Sequence, residues 1–188
     1  MNILILYNYK IVWLAIGVWL IFKLLKHQKI KLNQIKNLII VWISIVFVNL
    51  VLNYYYIIKR LGRDPLYKYF LPPYSDYIFR SIETDIIYYL ATVLLAGVIS
   101  AAFLLVAKKS DYQVLKPIDV ALLFLGGLVV GWINLIFFIG CVFVLAFFIQ
   151  LFLILFKKAE KNQRIEITAF IIISQILTLL LSDKISFL

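Results

Sequence analysis

An all-α fold, a polytopic transmembrane helical bundle of about six spans with its N-terminus outside, is what this 188-residue sequence predicts. Three observations predict it. Hydrophobic residues make up 65% of the chain and charged residues 15%, where soluble domains have roughly 45–50% and about 25%. The apolar residues fall in runs close to the roughly 20 that cross a hydrocarbon core. The basic residues gather in short loops between those runs, where the positive-inside rule places them.

The spans are read in order as 3–25, 37–58, 85–107, 118–133, 135–156 and 166–181, in one domain, 1–188. Lys10 sits in the first run and reaches outward by snorkelling. The next loop carries Lys23, Lys26, Lys29, Lys31 and Lys36 with no acid. That loop is assigned to the cytoplasm and the N-terminus to the outside. The second run ends in three tyrosines at 54–56, suited to the membrane interface. Residues 59–83 form the outer loop, in which Pro72-Pro73 forbids regular helix. Its charges and aromatics suit a surface that lies on the membrane.

The third run carries Ala96, Gly97, Ser100, Ala101 and Ala102, a small-residue face for close helix packing. Pro117 then opens a helix, as proline does at a first helical position. From Ile118 to Phe156 the apolar run has 39 residues, too long for one span and enough for two short ones. The turn between them is placed at Gly131-Trp132-Ile133-Asn134. Under this topology 12 of the 19 Lys and Arg residues lie inside.

Composition also excludes functions. The +10 formal charge sits in interhelical loops, so no basic face is left for nucleic acid. The single Cys141 cannot form an internal disulfide, and the single His27 has no companions for a zinc site. No cofactor is implied, and no phosphate loop or metalloprotease motif is present.

Acids in or near a membrane are functional candidates by default. Asp85, Asp119 and Glu166 meet that description, with Glu83 close by. Each also stands near a helix start, where an acid gains about 0.3–1 kcal/mol from the helix dipole. Aspartic proteolysis needs two carboxylates sharing a water. Asp85 is expected on the outer face and Asp119 on the cytoplasmic one, with about 30 Å of hydrocarbon between them.

The layout from Ile87 to Leu181 resembles the membrane core of the type IV prepilin and archaeal preflagellin peptidases. The residues that carry the likeness are Lys116-Pro117-Ile118-Asp119-Val120, then Gly126-Gly127 and Gly131-Trp132. The basic loop 157–164 and the opening of the last span, Ile165-Glu166-Ile167-Thr168-Ala169-Phe170, follow. The likeness implies an intramembrane aspartic endopeptidase where both catalytic acids are present. Here Lys116 and Ile118 replace the motif glycines, and no acid precedes Asp64. Asp119 is thus a lone candidate for the catalytic role. What the resemblance implies for this chain is a non-cleaving member that binds or scaffolds a pilin-like or other single-span helix. Gly126, Gly127, Gly131 and Glu166 are the candidate binding residues.

Two other functions fit the same architecture. Six spans in under 200 residues suit the substrate-binding subunit of a vitamin-type importer, and they also suit a structural subunit of a larger membrane complex. In every case the partner is the lipid bilayer, and the expected location is the plasma membrane.

Overall fold

Helix ends in this chain are set by prolines, left-handed residues and side chains that reach back to the backbone. The computed structural model describes residues 3–63, 67–72, 75–112, 115–155 and 167–185. Helix α1 is Ile3–Leu25. His27 closes it with φ 54°. The Gln28 N–H donates to Lys23 O at 3.0 Å and the His27 N–H to Leu24 O at 2.9 Å. This double bond pattern is a Schellman motif, usually built on glycine or asparagine. The same pattern ends α3 through Asp111, φ 46°, with Tyr112 N–H on Ala107 O and Asp111 N–H on Lys108 O.

Helix α2, Leu32–Arg63, begins with the returning half of a capping box. Gln34 reaches back so that its Oε1 accepts from the Lys31 N–H at 3.1 Å and from Lys23 Nζ at 2.7 Å. A short 3-10 turn, Tyr67–Phe70, and α3, Tyr77–Lys109, follow. Both helices extend into the stretch 59–83 that the sequence reads as loop. Nothing after Tyr56 breaks α2 before Pro65, and Arg60 and Arg63 suit the negative end of its dipole. On the far side, α3 starts at Tyr77, four residues beyond Pro73.

Helix α4, Pro117–Leu155, is broken at Gly131, whose φ and ψ are 78° and 161°. This backbone region is essentially reserved for glycine. A straight α4 would be about 58 Å long, nearly twice a hydrocarbon core. Instead the two arms, 117–130 and 132–155, fold against each other. A Cβ on Gly126 would lie 2.5 Å from Phe138 Cζ, and one on Gly127 would lie 3.1 Å from Leu135 Cδ1. In a straight helix residues 12 apart stand about 18 Å from one another. The turn expected at 131–134 is thus a one-residue break at its first position. Helix α5, Thr168–Ile185, completes the chain.

The first arm of α4 is the centre of the molecule. Leu122, Leu125, Leu128, Val129 and Val130 are all buried in it. A helix apolar on every side belongs inside. Around it stand Trp13 and Leu20 of α1, Trp42 of α2, Phe138 of the second arm, and Ile171 and Ile172 of α5, in one cluster. Ala96 of α3 meets Gly127, as its small-residue face predicts, and Ser100 is buried below it. Ala101 and Ala102 point outward instead.

The outer surface is apolar. Phe47, Leu94, Ile136, Phe147 and Phe152 are all more than half exposed. Water-soluble monomers do not carry contiguous patches of this kind. Among the described residues, Leu32–Arg63, Tyr77–Lys109 and Pro117–Phe152 are long and apolar enough to cross a membrane. The fold is all-helical and fits a membrane protein.

Candidate functional site

Asp119 is at the third position of α4 and is buried, with 3% exposure. Its Oδ2 accepts a hydrogen bond from the Lys116 N–H at 2.9 Å. Its Oδ1 accepts one from the Thr168 hydroxyl at 2.5 Å. The first bond is the returning half of a capping box, the work Gln34 does for α2. The second ties the start of α4 to the start of α5. The dipole of α4 also favours a negative charge there. Both carboxylate oxygens are therefore engaged by the chain's own donors. The described residues contain no group of three or more His, Cys, Asp or Glu side chains able to hold a metal ion.

The other candidates part company. Gly126 and Gly127 are where α4 is packed most closely, against Phe138 on one side and against Ala96 and Leu135 on the other. Gly131 lies twelve residues beyond Asp119, about 18 Å along the arm. A Cβ there would collide with the Tyr88 hydroxyl. Glu166 lies outside the described residues. Cys141 is half-buried and unpaired.

The break at Gly131 frees backbone groups that have no partner within a helix. In hydrocarbon each would cost several kcal/mol if left unbonded. Three side chains collect them. Tyr9 donates its hydroxyl to Val129 O at 3.0 Å. Asn134 donates Nδ2 to Val130 O at 3.2 Å, reaching back across the break. The Trp132 N–H donates to Thr92 Oγ1 at 3.3 Å. Trp42 Nε1 in turn donates to the Tyr9 hydroxyl at 3.0 Å. Tyr88 packs against Trp132 and Tyr89 with ring centroids 6.4 and 5.5 Å apart.

A cavity of about 390 Å³ opens beside this break. All five helices line it: Tyr9 and Lys10 from α1, Asn49 from α2, Thr84 to Thr92 from α3, Leu128 to Asn134 from α4, and Thr178 to Ser182 from α5. Among the described residues, Lys10 and Asp85 are the charged side chains that line it. Asp85 Oδ2 accepts from Asn53 Nδ2 at 3.0 Å. Asn134 is 9% exposed, and its Oδ1 is buried with no hydrogen-bond partner among the described residues. Size and mixed lining are those of a small-molecule site.

Reading the sequence finds two members of this lining as candidates, Gly131 for binding and Asp85 as a membrane acid. It treats Lys10 as a snorkelling residue, Asp85 as a helix-start acid and Asn134 as part of a turn. The missed signal is a set of polar residues in otherwise apolar runs: Asn49, Asn53, Thr92, Asn134 and Thr178. None stands out alone, and only helix rotation shows that they converge.

Comparison with known protein families, with characterised proteins and with solved structures finds no match to this chain.

Proposed function

We propose that this chain is a six-span plasma-membrane protein, N-terminus outside, that binds a small molecule in the cavity beside Gly131 and cleaves nothing. The six spans are α1, α2, α3, the two arms of α4, and α5. The observation that carries the binding reading is Asn134. Asn134 lines a cavity of about 390 Å³, and its buried amide oxygen has no partner among the described residues. A buried carbonyl left unbonded costs about 1–3 kcal/mol, and a donor on a ligand removes that cost. The two oxygens of Asp119 are both occupied, which supports a structural part for the acid at the peptidase-like position.

The test is thermal unfolding of the purified full chain with a panel of small molecules that carry both a cation and an anion. A ligand present at 100 times its Kd adds about 2.7 kcal/mol of stability. Stabilisation by at least one compound, lost in Asn134→Leu, is the expected result. A flat response across the panel overturns the reading.

A second reading follows the peptidase likeness: docking of a pilin-like single-span helix. The exposed aromatic strip of the second α4 arm, Phe143, Phe147 and Phe148, favours it. Photo-crosslinking from position 147 in membranes containing a pilin precursor tests it. Capture of the precursor supports docking, and labelling of lipid alone removes it.

A further inference from the structure

The turn between α1 and α2 presents a surface of a different kind. From Lys23 to Asn37 the chain has five lysines and no acid. None of these residues lines the cavity beside Gly131. Leu25, where α1 ends, is fifteen residues beyond Lys10, about 22 Å along the helix.

The turn holds a fixed shape. His27 ends α1 in a left-handed conformation. Ile30 and Ile35 are both buried in the core, one on each side of Lys31. Gln34 Oε1 accepts from the Lys31 N–H and from Lys23 Nζ. Lys26, Lys29, Lys31 and Lys36 are left exposed. Lys26 Nζ stands 4.6 Å over the Phe22 ring. The side chains of Lys29, Lys31 and Lys36 have no partner among the described residues. Cations gathered without an anion repel one another, and an anion seated among them reverses the sign of that interaction. Because the backbone is already ordered, little entropy is lost when one binds.

The surface next to these lysines is apolar. On α1, Val18, Phe22 and Lys26 follow one another at helical spacing, and on α2 Ile43, Ile40 and Lys36 do the same. Val18, Phe22, Ile40 and Ile43 are all more than half exposed. Each helix thus carries an apolar stripe that ends in a lysine. Trp19 lies beside the first stripe with Lys23 Nζ 5.3 Å over its ring, a place tryptophan favours at a membrane interface.

We propose that this turn is a binding site for an anionic phospholipid of the leaflet it faces. The phosphate sits among Lys26, Lys29, Lys31 and Lys36, and the acyl chains lie along the stripes of α1 and α2. The order of groups selects a lipid over a soluble anion, because cations and apolar stripes follow one another as phosphate and chains do in a phospholipid. A zwitterionic lipid brings its own cation to the lysines and loses the attraction. The end of α3 provides a contrast. Helices α2 and α3 run antiparallel, since Asn53 meets Asp85 and Trp42 meets Tyr89. Lys108 and Lys109 therefore stand at the same end of the bundle, but there Asp111 follows them.

Native mass spectrometry of the full chain, delipidated in detergent, tests this. The titrants are phosphatidylglycerol, phosphatidylcholine with the same acyl chains, and glycerol phosphate. A lysine close to anionic lipid is worth about a fivefold gain in affinity. Phosphatidylglycerol should therefore be held about tenfold or more tighter than phosphatidylcholine. Lys29→Gln combined with Lys31→Gln should weaken phosphatidylglycerol binding about tenfold and leave phosphatidylcholine unchanged. Lys29→Arg combined with Lys31→Arg should keep it. Lys108→Gln combined with Lys109→Gln, an equal loss of charge, should change it by less than about twofold.

Equal affinity for the two lipids overturns the proposal. An equal loss in the two glutamine pairs overturns the site, because net charge alone would then account for binding. Glycerol phosphate bound as tightly as phosphatidylglycerol overturns the lipid assignment in favour of a soluble anion.

Discussion

The Thr168 hydroxyl donates to the Asp119 carboxylate across 49 residues of chain, joining the first turns of α4 and α5. The bond takes an acid that looks catalytic by position and gives it a mechanical task. It also makes a prediction. Asp119→Ala loses both this bond and the one to the Lys116 N–H, and lowers stability by about 2–3 kcal/mol. Thr168→Val alone costs about 1–2 kcal/mol. In the double variant the losses are less than additive, because the two residues share one bond. Thermal unfolding in detergent measures all three. Strict additivity would show that the pair does not act together.

Proteolysis gives a separate check on the same residue. Cells that co-express this chain with a pilin precursor should accumulate the uncleaved form. Asp119→Asn should leave that pattern unchanged on an immunoblot. Cleavage that disappears in Asp119→Asn would restore the protease reading.

The break in α4 predicts contrasting glycine substitutions. Gly131→Ala forces a side chain into a glycine-only backbone region and onto the Tyr88 hydroxyl. It should cost about 2–4 kcal/mol. Gly140→Ala meets nothing within 4 Å and lies in a helix. It should be neutral or stabilise by about 0.4–1 kcal/mol. Unfolding midpoints of the two variants, compared with wild type, decide the matter.

Tyr9 serves two partners at once, donating to Val129 O and accepting from Trp42 Nε1. Tyr9→Phe keeps the ring and strands both groups. A loss of about 2–4 kcal/mol is expected, more than an isolated neutral hydrogen bond supplies. Trp42→Phe removes the donor and leaves the Tyr9 hydroxyl bonded to Val129 O, and should cost less. A larger loss in Trp42→Phe than in Tyr9→Phe would place the weight on packing instead.

The proposed topology can be read with a membrane-impermeant thiol reagent in a Cys141→Ser background. Ser110→Cys, in the turn after α3, should be labelled only when the cytoplasmic face is opened. Ser75→Cys, just before α3, should be labelled in intact cells. The reverse pattern would invert the orientation.

Hydropathy makes the helices legible in the sequence, and glycine spacing makes the break legible. Pro117 and Gly131-Trp132 fix where α4 starts and turns, because one residue type suits each place. Ala96 against Gly127 follows from the same logic of small residues. The ends are less legible. His27 and Asp111 take left-handed conformations that glycine usually fills, and Gln34 looks like any loop residue until it closes onto Lys31. The stretch 59–83 reads as loop because its charges dominate the pattern, although Arg60 and Arg63 are compatible with helix. Of the candidate site, Asp119 is visible but its Thr168 partner is not, since no local rule links residues so far apart. The cavity is hidden for a related reason. Asn49, Asp85 and Asn134 each have a local explanation, and their convergence depends on the angle to which each helix is turned.

Gly131 also bears on how this chain enters a bilayer. The first arm, 117–130, is about 21 Å long, short of the roughly 30 Å it would have to cross alone. Its buried face is complete only once the second arm has folded back onto Gly126 and Gly127. The first arm is therefore not a finished unit when it leaves the ribosome. On the proposed six-span topology the pair is integrated as a hairpin, so residues after Trp132 determine whether those before it are retained. On that topology one backbone angle makes a 39-residue segment a single step in biogenesis.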